Sequence, residues 1–142
     1  MTPRGWVGLI AAGGLTIAAG AAGGGTTAHA IHVSTDVPLS IAPEDVQRYR
    51  EAGEDVVVID LRAPEAFRAG HLPRARSLPL GEVRQREAEV PRTGRVVLYA
   101  GTPEEAAAAY QALRDAGHRN VMVLAGGLPA WVRLGFPVET GR

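Results

Sequence analysis

The sequence predicts a parallel α/β domain, on three observations. Asp55–Leu61 (DVVVIDL) is an unbroken β-branched run of the kind a central strand shows when both its faces are buried. Arg95–Ala100 is a second apolar run, and it breaks at Gly101–Thr102 into an alanine-rich stretch that begins Pro-Glu-Glu. Between and around these runs, helical periodicity alternates with strand-like segments along the chain, which is the pattern of strands joined by crossover helices.

Residues 1–30 are read as a leader. A short start containing Arg4 runs into the apolar Gly/Ala-rich stretch Trp6–Ala22 and ends at Ala28-His29-Ala30, which resembles a secretory signal peptide with an A-x-A cleavage site. An uncleaved membrane anchor through residues 6–22 is the competing reading, at the lower limit of length for a span. Glycine and alanine insert weakly, which favours cleavage, and either reading exports the domain, to the periplasm or outside the cell. Residues 31–38 follow as a linker with little periodicity.

From there each element has a local reason. A short strand is expected near Leu39–Ile41. Pro43 opens a helix with Glu44 and Asp45 in its first turn, Val46 and Tyr49 inward, and Gly53 as its stop. After the Asp55–Leu61 strand, Pro64 starts a helix of one or two turns that buries Phe67 and stops at Gly70. His71-Leu72-Pro73 leads into an extended Ala75–Leu80, and the polar Glu82–Glu89 reads as a helix over the sheet. Arg95–Ala100 is the next strand. The helix from Pro103 to Ala116 turns Ala106, Tyr110 and Leu113 inward, with Gly117 placed for a left-handed cap. Val121–Leu124 is a short buried strand. Gly126-Gly127 turns the chain into Leu128–Leu134, whose Trp131 and Leu134 suit docking on the sheet, and Pro137 closes the fold.

Composition removes several functions. The 15 basic residues, all arginine, balance 15 acidic ones and form no long basic run, so nucleic-acid binding is not expected. The chain has no cysteine, which removes disulfides, thiolate metal sites and thiol nucleophiles. No histidine pair stands at ligand spacing, so no metal site is expected, and no cofactor is called for.

In a parallel sheet, ligands meet the crevice at strand C-termini beside helix N-termini. Here that place is the loop Ala100, Gly101, Thr102, Pro103, Glu104 and Glu105. Thr102 as N-cap, Pro103 at the first helical position and Glu105 three residues after Thr102 form a capping box, in which the Thr102 hydroxyl accepts from the Glu105 amide and the Glu105 carboxylate reaches back to the Thr102 amide. The helix end is then satisfied by its own residues, and two carboxylates occupy its favourable field. Anion binding is disfavoured there.

The order IDLRAPEAFRAGHLPRARSLPL, VVLYAGTPEEA and AGGLPAWVRLGFPV resembles the rhodanese-like domain over about residues 39–139. The matching positions are Asp60, Arg62, Glu65, Phe67, Gly70, His71, Pro73, Ala75, Gly126, Gly127, Ala130, Trp131, Gly135 and Pro137. The resemblance implies a five-stranded parallel sheet with helices on both faces. It also implies a sulfurtransferase ancestry, in which a cysteine after the strand and its aromatic residue carries sulfane sulfur as a persulfide in a loop of backbone amides. In this chain Tyr99 is followed by Ala100, which occupies the nucleophile position. No catalytic residue is therefore assigned, since a hydroxyl such as that of Thr102 cannot form a persulfide. Phosphatases of this fold need the same cysteine and a loop arginine, where Glu105 stands.

Arg74 replaces the glycine usual in that pattern, which points to a slightly different turn and a positive charge near the mouth of the site. Asp60, Arg62, Glu65, His71 and Trp131 are read as framework: the charges at a buried strand end pair with their neighbours, His71 fixes a turn, and Trp131 is core. His118 follows a helix end, where an imidazolium suits the dipole. The functional expectation is an exported pseudoenzyme that binds a protein partner or small ligand in the remnant pocket. The alternative is an accessory sulfurtransferase component that positions substrate while another protein supplies the thiol.

Overall fold

The computed structural model describes residues 37–142. The leader, its cleavage site and most of the linker lie outside the described residues. Five parallel strands form one sheet: β1 Ser40–Ile41, β2 Val56–Asp60, β3 Arg76–Ser77, β4 Arg95–Tyr99 and β5 Val121–Leu124. Their spatial order is β1-β5-β4-β2-β3, so β4 lies at the centre, paired to β2 over all five of its residues and to β5 over Val96–Leu98.

Helices cover both faces. Alternation along β4 sends Val96 and Leu98 into one core and Val97 and Tyr99 into the other, and all four side chains are buried. The first core is closed by α3 (Pro103–Asp115) through Ala106, Ala109, Tyr110 and Leu113. The second is closed by α1 (Pro43–Glu51) through Val46 and by α4 (Gly127–Arg133) through Trp131. A further short helix, α2 (Pro64–Ala69), buries Phe67 against the ring of His71. Helix ends follow the local signals: Gly53 at φ 74° ends α1 and Gly117 at φ 95° ends α3, where the His118 amide donates back to the Leu113 carbonyl. Among the described residues no helix is long and apolar enough to cross a membrane.

Three local expectations are corrected. The extended stretch after Pro73 has only two ladder residues, Arg76 and Ser77, although the Leu78 and Leu80 amides still bond the Asp60 and Leu61 carbonyls. Pro79 lies between those two amides and has no N–H of its own to donate. Glu82–Glu89 is not one α-helix but two 3-10 turns, Leu80–Glu82 and Glu87–Glu89. Within that stretch only Val83 is buried, so there is no repeating apolar stripe to hold an α-helix down, and Arg86 bridges Glu82 and Glu89 instead. Leu134 does not dock on the sheet: it is 45% exposed, because the chain turns at Gly135 (φ 75°) and brings Phe136 against Trp131.

Trp131 is fully buried, its ring 4.9 Å from that of Phe136, and its indole N–H donates to the Pro137 carbonyl at 2.7 Å. Trp131→Ala should therefore lower stability by about 3–5 kcal/mol, read as a shift of the urea midpoint at unchanged slope.

Candidate functional site

The C-terminal ends of β4 and β5 open onto a cleft of about 640 Å³. One wall is the Tyr99–Ala107 segment; the other is Val123–Gly127 with Pro129, and Pro38 and Ser40 border it beside β1. Ala100 is 8% exposed, lies directly after the last residue of β4 and is one of the lining residues. Ala106, Val123, Leu124 and the prolines make the surface largely apolar.

Half of the expected capping box forms. The Glu105 amide donates to Thr102 Oγ1 at 3.3 Å, while no return bond from the Thr102 amide to the Glu105 carboxylate is found among the described residues. That carboxylate folds over the loop: its Oε2 would lie 3.3 Å from a Cβ placed on Gly101. Glu104 lines the cleft itself. Pro103 opens α3, and the Thr102 hydroxyl is used as the cap of that helix.

The opposite wall turns at Gly126 (φ 71°) and Gly127 (φ 59°). At Gly126 the left-handed backbone and the packing agree, since an added Cβ would fall 2.6 Å from the Ala130 Cβ. This turn starts α4, whose Gly127 and Pro129 line the cleft while its Trp131 is buried in the second core.

Of the framework residues, Asp60 and His71 are buried and Arg62 is partly buried against Asp60. Asp60, fully buried at the end of β2, accepts from the Arg62 amide at 2.9 Å and from the Arg62 guanidinium, with Nη2 at 2.6 Å. Arg62 Nη2 also donates to the Gly70 carbonyl. Tyr99 Oη donates to Asp60 Oδ2 at 2.6 Å and accepts from the Leu72 amide at 3.2 Å. Burial, reinforced by the hydrogen bond to Asp60, pushes the Tyr99 phenol well above its ordinary value. The hydrogen bonds to Asp60 hold the Arg62 guanidinium above its usual range. His71 is buried; its Nδ1–H donates to the Phe67 carbonyl at 2.7 Å and its ring stacks on Phe67 at 3.7 Å. Glu65 is apart from these, exposed and 4.0 Å from Arg68.

Arg74 is placed differently from the expectation. It does not line the cleft, and its turn keeps a glycine-type conformation with φ 57°. Its amide donates to Glu139 Oε2 at 3.0 Å, in the segment where residue 139 pairs with His71 as an antiparallel bridge. That tie offsets the strain of a left-handed arginine, about 1 kcal/mol.

A match to the rhodanese-like domain family covers residues 42–134. The chain belongs to the rhodanese-like domain family. It is 38% identical over 104 residues to the thiosulfate sulfurtransferase GlpE of Pseudomonas putida, an alignment covering 72% of this chain and 91% of that protein. It is 34% identical over 104 residues to the uncharacterized protein slr1261 of Synechocystis, covering 73% of this chain but only 58% of that longer protein. Among solved structures, the rhodanese-like domain of the Alr3790 protein from Anabaena superposes with a TM-score of 0.66 at 25% identity, over 74% of this chain and 81% of that one. Thus a rhodanese-like domain with sulfurtransferase homologues carries no cysteine at any position.

Two parts of the structure had no clear signal in the sequence. Tyr99 reads there only as the aromatic residue before Ala100, yet it joins Asp60 on β2 to the Leu72 amide. His118, just past the end of α3, is fully buried, and its Nε2–H donates at 2.9 Å to Glu87, which Arg92 also holds. The sequence separation of 31 residues between His118 and Glu87 hides that contact.

Proposed function

We propose that this protein is a binding module built on a rhodanese-like domain, exported by residues 1–30, that engages its target through the cleft at the ends of β4 and β5. One observation carries the reading: the rhodanese-like framework surrounds a cleft in which Ala100 stands where the family resemblance expects the sulfur-carrying cysteine. A methyl group cannot attack a sulfane sulfur or hold a persulfide, so transfer by that route has no covalent intermediate. The cleft's volume falls within the range of small-molecule and side-chain sites, and its lining is apolar as such sites usually are.

The purified chain should transfer sulfur from thiosulfate to cyanide no faster than a protein-free blank. A rate that exceeds the blank and scales with protein concentration would end the pseudoenzyme reading. Export is tested separately, by the mass of the protein recovered outside the cytoplasm: a chain beginning near Ile31 supports a cleaved leader, and intact chain held in the cytoplasm opposes export.

A further inference from the structure

Resting on the reading of the cleft as a binding site, we infer that its occupant is an extended segment of another protein that presents a lysine or arginine side chain. Three features combine. The floor is apolar, built from Ala100, Ala106, Val123 and Leu124, and would accept an aliphatic stem. Among the described residues the only carboxylate lining the cleft is that of Glu104 and no basic side chain lines it, while the Glu105 carboxylate lies beside the lining residue Gly101. Neither Glu104 nor Glu105 has an ion-pair partner within 4.0 Å among the described residues. An anionic side chain would meet this charge unfavourably, a neutral one would leave it unused, and a cation on an aliphatic stem complements both floor and rim. One basic group stands near without lining the cleft: Arg133, with Nη2 4.0 Å from a Cβ placed on the lining residue Gly126.

The third feature selects an extended segment over a free amine. Among the described residues β1 is an edge strand, paired only with β5. Ser40 stands opposite Val123, and the Val123 amide bonds the Leu39 carbonyl, so alternation turns the Ser40 amide and carbonyl to the open side. Ser40 and Pro38 also border the cleft, while Val37 and Leu39 are 86% and 58% exposed. A strand added along this edge would run past the cleft and place alternate side chains over it and over Leu39.

The test uses the full chain and three labelled pentapeptides, each with a central residue flanked by valines: lysine, norleucine or glutamate. Binding is followed by fluorescence polarisation at low salt. The lysine peptide should bind about tenfold more tightly than the norleucine peptide, and the glutamate peptide most weakly. Glu104→Gln with Glu105→Gln should bring lysine down to the norleucine level without changing the norleucine affinity. Both residues are exposed in the first turn of α3, so the fold is retained, and circular dichroism checks this. Arg133→Ala should tighten the lysine peptide further. Equal affinity for all three peptides would overturn the charge selection while leaving the cleft a binding site. No binding by any peptide would overturn both.

Discussion

Arg62→Ala should destabilise the domain by about 3–5 kcal/mol, far more than loss of an ordinary surface ion pair, which costs about 1 kcal/mol or less. The reason is an asymmetry in burial. Asp60 is wholly buried, whereas the Arg62 side chain keeps 17% of its surface exposed. Removing the arginine leaves a carboxylate in the core with the Tyr99 hydroxyl but no countercharge, and also frees the Gly70 carbonyl. Removing the carboxylate instead leaves a guanidinium that can turn toward water, so Asp60→Ala should cost less, about 3 kcal/mol. Urea titrations of both single variants and the double variant check this ordering; equal losses for the two singles would show that burial does not govern the pair. The same network gives a pH dependence. Folding raises the Tyr99 value, so its contribution is fully present below the ordinary tyrosine value of about 10 and is lost as pH rises from there towards the folded-state value. Tyr99→Phe should remove that alkaline slope.

Ala100→Cys should place a thiol in the cleft yet leave thiosulfate-dependent persulfide formation near the background. Restoring the missing atom does not restore the electrostatics. With Glu104 lining the cleft and Glu105 folded over Gly101, the thiol should titrate above the reference value of about 8.5, and an anionic donor meets the same repulsion. Adding Glu104→Gln and Glu105→Gln to the cysteine variant should lower the thiol's value by about one unit and raise persulfide formation about tenfold. Intact-mass measurement after thiosulfate treatment reads the outcome as the gain of one sulfur atom. Rapid persulfide formation in the single variant would show that the loop's backbone amides still dominate its charge.

These two sites differ in how far the sequence reveals them. The loop's character is local: Thr102, Pro103 and Glu105 predict a capped helix start, and the Thr102 bond to the Glu105 amide is present, although the return bond is not. The position of Ala100 follows from one strand and one family pattern. The network around Asp60 is partly local, since Arg62 is two residues away, and partly not. Tyr99 and Leu72 reach it only because β2 and β4 pair in register, with Asp60 opposite Tyr99.

Misplaced elements share a cause as well. Leu134 looks inward by helical spacing from Trp131, but Gly135 ends the helix and Phe136 takes the contact. Arg74 carries a charge whose location depends on the chain's final segment, where Glu139 receives its amide.

By itself, then, the sequence determined the fold class, the alternation of strands and helices, the family resemblance and the absence of any thiol. These depend on residue identity, on periodicity and on spacing within short segments. Only the tertiary structure decided that the loop after β4 faces an apolar cleft bordered by β1, that Glu104 lines it with the Glu105 carboxylate beside Gly101, and that His118 is buried against Glu87. Those outcomes depend on strand order and on contacts between residues far apart in the chain, which local pattern does not encode.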